Sequence, residues 1–347
     1  MKTAAMRFSI VTFVIFLAQP PTAHADEAKK YYNQAMTQAT QGKYDAAADL
    51  LRKAIAIRPK FAEAHHLLGI VYATGLRHLP EAVESFKTAI ELNPNMAEAY
   101  YNLGLVYQGQ GKFTEAEQEF QRALAIYPHY EEALLSLAQL YERQQALSKA
   151  IPVYQRVLAI KPDQPDSLYA LGYLFESQGR SAEARELLTR LVTAHPDHAD
   201  AHYVIGTMAE KANQASEAER AYRQAIAARP DFVDAHYNLG FLLKAKEEIP
   251  AAIQECQKVV KLKPDYADAF VNLGVLYSTQ KKFDQAEQAY EEAIRLKPAM
   301  AEAYYNLGVF YEFHLKDTTR ALAIYKKYLD LGGKDDRIQR IVRDMRK

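Results

Sequence analysis

The densest group of side chains that could bind a metal ion lies between residues 195 and 202. It comprises His195, Asp197, His198, Asp200 and His202. His198 and His202 are four residues apart, so one face of a helix would carry both imidazoles, as in many zinc sites. However, His236 follows His202 at the spacing of the internal repeat described below, which favours a packing role for that position. We therefore expect no bound metal, and keep His198 and His202 only as the pair that would ligate one.

No other arrangement in the sequence fits a catalytic site. There is no Ser, His and Asp set, no pair of carboxylates set apart from the repeats, and no glycine-rich loop that could hold a phosphate. The one cysteine, Cys256, excludes an intramolecular disulfide, and it stands where other repeats carry an aromatic residue. We therefore expect no enzyme activity and no cofactor, and we interpret Cys256 as a small buried apolar residue.

Regularly spaced prolines divide the chain into repeats. The first gap between them is 35 residues and every later gap is 34. They are Pro59, Pro94, Pro128, Pro162, Pro196, Pro230, Pro264 and Pro298. Each interval holds two stretches whose apolar residues recur every three or four positions, which predicts two amphipathic helices joined by a short turn. Tandem units of about this length form helical solenoids.

Small and aromatic residues occupy fixed positions in each repeat. When the proline is numbered 32, the third repeat has Leu103 and Gly104 at positions 7 and 8, and Ala116 and Phe120 at positions 20 and 24. This pattern resembles the tetratricopeptide repeat family, and the resemblance extends over about residues 26–333. It implies an all-α fold, a right-handed superhelical solenoid of about nine helix-turn-helix repeats with a C-terminal capping helix.

The expected domain boundaries follow the prolines. Residues 1–25 are expected to be a signal peptide and residues 334–347 a capping helix. The apolar face of that helix is predicted to contain Ile338, Ile341, Val342 and Met345. The second and ninth repeats each need one extra residue between their helices. The nine repeats are expected at 26–59, 60–94, 95–128, 129–162, 163–196, 197–230, 231–264, 265–298 and 299–333.

Two further features predict how the helices begin and where they touch. Glycine at position 8 costs about 1 kcal/mol of helix stability relative to alanine. We therefore expect it to allow a close approach of the second helix, with the alanine of position 20 facing it. The residues that follow the prolines are expected to cap the first helices, each with an acid three residues later. These residues are Asn95, Asp163, Asp197, Asp231 and Asp265.

The N-terminus has the pattern of a secretory signal. Lys2 and Arg7 precede an apolar run over residues 8–18, and Ala23 and Ala25 form a small-residue cleavage motif. We expect cleavage after Ala25 and export to a periplasm or to the medium. The apolar run is shorter than the roughly 20 residues of a membrane span, which leaves an uncleaved anchor as the alternative.

The resemblance implies that the first helices line a concave groove, where tyrosine recurs at position 5 and asparagine at position 6. An amide both donates and accepts hydrogen bonds, so a row of asparagines can pair with an extended peptide backbone, and tyrosine adds a flat apolar face. The row is similar to the asparagine ladder in the superhelical repeats of O-GlcNAc transferase. Alternatively, Tyr-Asn-Leu-Gly is simply the sequence that this helix most commonly has in such repeats. The candidate peptide-binding residues are Tyr101, Asn102, Tyr237, Asn238, Asn272, Tyr305 and Asn306.

Charge limits the choice of partner. The chain carries 43 basic and 43 acidic residues, so its net charge attracts neither nucleic acid nor an anionic membrane. Position 2 is acidic in every repeat from Glu63 to Glu302. This opposes a carboxylate clamp of the kind that binds chaperone tails, and it favours a neutral to cationic peptide.

The function expected from these features is a non-catalytic scaffold that binds a partner protein or an extended peptide, in the assembly of an envelope complex. Two alternatives stay open. The scaffold could self-associate through its convex face or its end repeats, and the sequence does not determine its oligomeric state. A nucleic-acid-binding helical repeat protein belongs to another class, which the signal peptide and the neutral charge disfavour.

Overall fold

The computed structural model describes the backbone of residues 23–344 and the side chains of residues 26–343. This range contains 19 α-helices, two π-helical turns and no strand, so the predicted all-α fold class is confirmed. None of these helices is both long and apolar enough to cross a bilayer. The predicted signal peptide lies outside the described residues, except that the first helix already begins at Ala23, and Met345 lies outside them too.

The chain divides into two compact units, of which unit 1 ends at Leu174 and unit 2 begins at Phe175. In unit 1, second helices contact both the first helix of their own pair and the next pair. The helices of unit 1 are α1 (Ala23–Thr40), α2 (Tyr44–Ile57), α3 (Ala62–Val71), α4 (Leu79–Leu92), α5 (Ala97–Gly109), α6 (Phe113–Ile126), α7 (Glu131–Arg143) and α8 (Leu147–Ile160). Helix α9 (Pro165–Ser177) contains the division between the units.

Unit 2 repeats the same order of paired helices. They are α10 (Ser181–Ala194), α11 (Ala199–Lys211), α12 (Ala215–Ala228), α13 (Val233–Ala245), α14 (Ile249–Leu262), α15 (Ala267–Thr279), α16 (Phe283–Leu296), α17 (Ala301–Val309), α18 (Thr318–Asp330) and α19 (Asp336–Asp344). Its core runs from Ala209 to Val342 and consists of the inward faces of successive helices.

The first helices begin one residue later than the capping pattern predicts. Met96, Phe232 and Tyr266 occupy the N-cap positions of α5, α13 and α15, and none of them makes a side-chain cap hydrogen bond. Asn95 and its counterparts therefore precede the cap, and the predicted capping box is wrong. The N-cap residue instead contributes to packing, since Met96 is only 8% exposed. Burial of that side chain stabilises the helix start more than a solvated cap hydrogen bond would.

The glycine of position 8 allows the close approach that the sequence predicts, but the facing residue differs. A Cβ atom on Gly104 would lie 2.7 Å from the ring of Phe120, which occupies position 24. The alanine of position 20, Ala116, is fully buried, yet it is not the group that a side chain at Gly104 would meet. Aromatic rings at position 24 therefore fill the space that glycine leaves open in the crossing helix.

The extra residues of the second and ninth repeats form π-helical turns. One turn covers Tyr72–Leu76 and the other Phe310–His314. A π-helical turn closes over five residues instead of four, so it absorbs one added residue without ending the helix. In unit 1 the turn brings Gly75 against the ring of Tyr44, so a Cβ atom at residue 75 would overlap that ring.

Helix α19 closes unit 2 by burying its apolar side chains. Ile338 is fully buried and Val342 is 6% exposed, and both belong to the core of the unit. Arg337 donates to Glu312 at 2.8 Å and its guanidinium lies 5.9 Å from the ring centre of Tyr325. This side chain, although exposed, therefore ties α19 to the preceding repeat.

Candidate partner-binding surface

In unit 1 the two predicted binding residues are buried. Tyr101 is 6% exposed and its ring packs 5.1 Å from the ring centre of Tyr130. Asn102 is 3% exposed, and its Nδ2 atom lies 2.8 Å from Nε2 of His66. Burial lowers the pKa of His66 to about 4, so at neutral pH the ring is uncharged and Nε2 accepts the hydrogen bond. These side chains join neighbouring repeats and offer little surface to a partner.

In unit 2 the asparagines connect successive first helices through tyrosine hydroxyls. Asn238 Nδ2 donates to the hydroxyl of Tyr203 at 3.2 Å, and Asn272 Nδ2 donates to that of Tyr237 at 3.1 Å. In each pair the asparagine at position 6 bonds to the tyrosine at position 5 of the preceding repeat. The amide donors of this row are therefore used inside the protein, whereas the Oδ1 atom of Asn238 can face a ligand.

Asn306 makes a different hydrogen bond because the preceding repeat has Val271 at position 5. Valine has no hydroxyl, and Asn306 Nδ2 donates instead to the backbone carbonyl of Glu302 in its own helix, at 2.9 Å. Both Asn306 and Tyr305 are partly buried, and Tyr305 packs against Tyr328 with ring centres 5.5 Å apart. Asn238 and Asn306 accept no hydrogen bond at Oδ1 from any described residue.

Two residues that the sequence interpretation did not select stand beside this row. Phe241, at position 9 of its repeat, is 47% exposed. Lys244 lies one turn later in α13, with its ammonium 4.8 Å from the centre of the Phe241 ring. The sequence signal for Phe241 was an aromatic residue at position 9 of a first helix, and Tyr173 in unit 1 has the same position. We call Tyr237, Asn238, Phe241, Lys244, Asn272, Tyr305 and Asn306 the candidate surface.

The acidic residues at position 12 are engaged within the repeats. Glu210 accepts a hydrogen bond from Tyr222 at 2.6 Å, and Glu312 accepts one from Tyr325 at 2.5 Å. Burial, together with the bond to Glu210, raises the pKa of Tyr222 far above its ordinary value, so the tyrosine remains a donor. These carboxylate oxygens are therefore occupied in part by contacts within the repeats.

The histidines considered as metal ligands make other contacts. Nε2 of His202 lies 2.9 Å from the carbonyl oxygen of Pro196, and Nδ1 of His198 accepts from the backbone N–H of Ala201 at 3.1 Å. His198 is the N-cap residue of α11. Within residues 26–343 no three His, Cys, Asp or Glu side chains are grouped so that they could hold a metal ion.

Cys256 is buried, as predicted from the sequence. It is 1% exposed, and its Sγ atom would lie 3.1 Å from a Cβ atom on Gly240. Burial raises the pKa of the thiol to about 12, so the reactive thiolate is suppressed. The side chain fills the place that a phenylalanine or tyrosine takes in other repeats.

Comparison with known families agrees with this arrangement. Profiles described as "Tetratricopeptide repeat" match residues 95–163, 143–206, 232–299 and 271–336, and one described as "TPR repeat" matches 39–75, 78–111 and 211–247. The chain belongs to the tetratricopeptide repeat family. Membership of this family supports a protein–protein interaction scaffold, the general function of such repeats. A search of curated proteins found no match.

A comparison with solved structures gives several matches. A structure of MamA is 27% identical, with 46% of this chain and 92% of that chain covered and a TM-score of 0.43. Pseudomonas aeruginosa pilF is 20% identical, with 60% and 95% covered and a TM-score of 0.52. The C-terminal part of a TPR repeat-containing protein from Cytophaga hutchinsonii is 13% identical, with 71% and 99% covered and a TM-score of 0.58. At these identities, pilF and the Cytophaga protein share the fold alone.

Proposed function

We propose that this tetratricopeptide protein is a non-catalytic scaffold whose candidate surface in unit 2 binds an extended segment of a partner protein. The supporting observation is the pair Asn238 and Asn306, which are partly exposed and accept no hydrogen bond at Oδ1 from the described residues. An extended backbone presents N–H groups to such acceptors whatever its sequence. The ring of Phe241 adds exposed apolar area for the side chains of the segment.

The charge of the first turns supports a segment that is neutral or cationic overall. Asp234 and Glu302 are exposed at position 2 of α13 and α17. Acids in a first turn also stabilise the helix through its dipole, so they are useful without a partner. A cationic segment would gain an added attraction that weakens as salt is raised.

We further propose that the protein is exported and acts in the assembly of an envelope complex. The supporting feature is the charged, apolar and small-residue order of residues 1–25. The mass of the protein isolated from its native cell tests this directly. A mature chain that begins at Asp26 supports cleavage, and a full-length chain in the membrane fraction supports the anchor instead.

Affinity capture from the native envelope fraction tests the binding proposal. The double variant Asn238→Ala and Asn306→Ala should capture much less of the partner than the wild-type protein does. The control Asn95→Ala removes an exposed amide from a turn and should capture like wild type. Equal capture by the double variant and the wild type would place the binding site elsewhere.

A further inference from the structure

Lys244 is the cation of the candidate surface, and it differs from those cations of unit 2 that form ion pairs. Lys211 pairs with Glu176 at 2.8 Å, Lys246 with Glu248 at 2.7 Å, and Arg337 with Glu312 at 2.8 Å. In contrast, no carboxylate among residues 26–343 forms an ion pair with Lys244. This lysine therefore carries a charge on the candidate surface that no carboxylate of the described residues neutralises.

The position of the Lys244 ammonium is fixed by its neighbours. Nζ donates to Asn272 Oδ1 at 3.0 Å, and the amide of Asn272 is itself oriented by its bond to the Tyr237 hydroxyl. An ammonium has three N–H donors, so Lys244 keeps two for a ligand. Because the chain of contacts holds the side chain in one place, little conformational entropy is lost when a ligand binds.

The ring of Phe241 lies next to the place where a ligand of Lys244 would bind. This ring is 47% exposed and is 4.8 Å from the Lys244 ammonium. A group bound at Lys244 would therefore have this ring as its apolar neighbour. The pair of side chains offers one charged contact and one apolar contact 4.8 Å apart. Residues i and i+2 of an extended segment, whose side chains point to the same face about 6.6 Å apart, can reach both.

We propose that Lys244 binds a side-chain carboxylate of the partner segment while Phe241 contacts an apolar side chain next to it. This rests on the proposed function and refines it. A segment that is neutral or cationic as a whole carries one Asp or Glu at this place, with an apolar residue nearby. The positive charge of Lys244 favours an Asp or Glu at this place in the partner segment. The exposed acids of position 2 attract cationic residues elsewhere in the segment.

An array of random nonapeptides tests the proposal with the mature protein, residues 26–347. The peptides are acetylated and amidated so that no terminal carboxylate is present. Wild type should enrich peptides that have Asp or Glu within two residues of Phe, Leu or Ile. For one such peptide, replacing the acid by its amide should weaken binding about 5-fold, as expected for a partly exposed ion pair.

Variants assign the effect to Lys244. Lys244→Met should bind the acid and amide peptides equally, whereas Lys244→Arg should keep the preference. Lys211→Met is the matched control, because Lys211 already has Glu176 as its partner, and it should discriminate like wild type. Asn272→Ala should reduce the discrimination by releasing the Lys244 side chain. Thermal melts establish that each variant is folded.

The outcomes separate this inference from the proposed function. Wild type that binds peptides without favouring the acid overturns the role of Lys244 and leaves the binding surface standing. Discrimination that persists in Lys244→Met also overturns it. Wild type that binds no peptide on the array contradicts the proposed function and the inference together.

Discussion

The ring of Phe120 occupies the space in which a side chain at Gly104 would stand. A Cβ atom at Gly104 would lie 2.7 Å from Cε1 and 2.8 Å from Cδ1 of the Phe120 ring. Cβ atoms in real proteins essentially never approach another atom so closely. The same relationship joins Gly206 to Tyr222 within unit 2. The distance between the two helices of a repeat is thus set by a pair of residues, one without a side chain and one with a large flat ring.

Gly104→Ala should destabilise the protein despite the higher helix propensity of alanine. The added methyl group overpacks the crossing, which typically costs 1–3 kcal/mol, about as much as or more than the roughly 1 kcal/mol gained in propensity. Gly240→Ala is the matched control, because it faces the smaller Cys256 at 3.1 Å. Urea unfolding should give a lower midpoint for Gly104→Ala than for Gly240→Ala, and the reverse order would refute the packing argument.

The pKa of His66 predicts a loss of stability in acid. The folded value is about 4 against an ordinary 6.5, because burial disfavours the charged ring. Between these values the unfolded chain binds a proton that the folded chain excludes, so stability is full above pH 6.5 and falls as the pH drops toward 4. The loss reaches up to about 3 kcal/mol.

Urea midpoints at pH 7 and pH 4.5 measure this effect. His66→Phe should show a smaller drop between the two pH values than wild type, whatever its stability at pH 7. His129→Gln, at an exposed position, should keep the wild-type drop. An equal drop in all three proteins would show that other groups control the acid sensitivity.

His236 and Glu255 should be strongly coupled. His236 is fully buried, and its Nδ1 atom lies 2.5 Å from Glu255 Oε2. Its Nε2 atom is 3.0 Å from the Pro230 carbonyl, which can only accept, so Nε2 donates there while Nδ1 faces Glu255. A double-mutant cycle with His236→Phe and Glu255→Gln should give a coupling energy of about 1–3 kcal/mol.

His202 supplies the comparison for that cycle. It is 5% exposed and makes the equivalent contact with the Pro196 carbonyl, but no ion pair with a carboxylate within the described residues. His202→Phe should therefore destabilise the protein less than His236→Phe does. A coupling energy near zero between His236 and Glu255 would show that the short contact contributes nothing to folding.

The sequence predicts the repeat architecture well because its signals are local and redundant. The proline period, the glycine at position 8 and the aromatic residue at position 24 all report contacts made inside one repeat. The capping pattern failed because an acid near a helix start is consistent with two registers one residue apart. Burial of the apolar N-cap residue decides between them, and that burial depends on the neighbouring helices.

The candidate site was less predictable because its exposure depends on contacts between repeats. Asn102 and Asn238 have the same position and the same flanking Tyr and Leu, yet only Asn102 is nearly fully buried. Asn102 meets the imidazole of His66, and Asn238 meets the hydroxyl of Tyr203. Such differences follow from which residue the preceding repeat places opposite, which a repeat consensus does not record.

Site-specific photo-crosslinking tests the central claim, that the partner binds the candidate surface of unit 2. Benzoylphenylalanine replaces Phe241 in one protein and Arg220, an exposed residue of α12, in another, and each is irradiated with the native envelope fraction. We predict a covalent partner adduct from position 241 that disappears when Asn238 and Asn306 are also changed to Ala. An adduct from position 220 with none from position 241 would contradict the account.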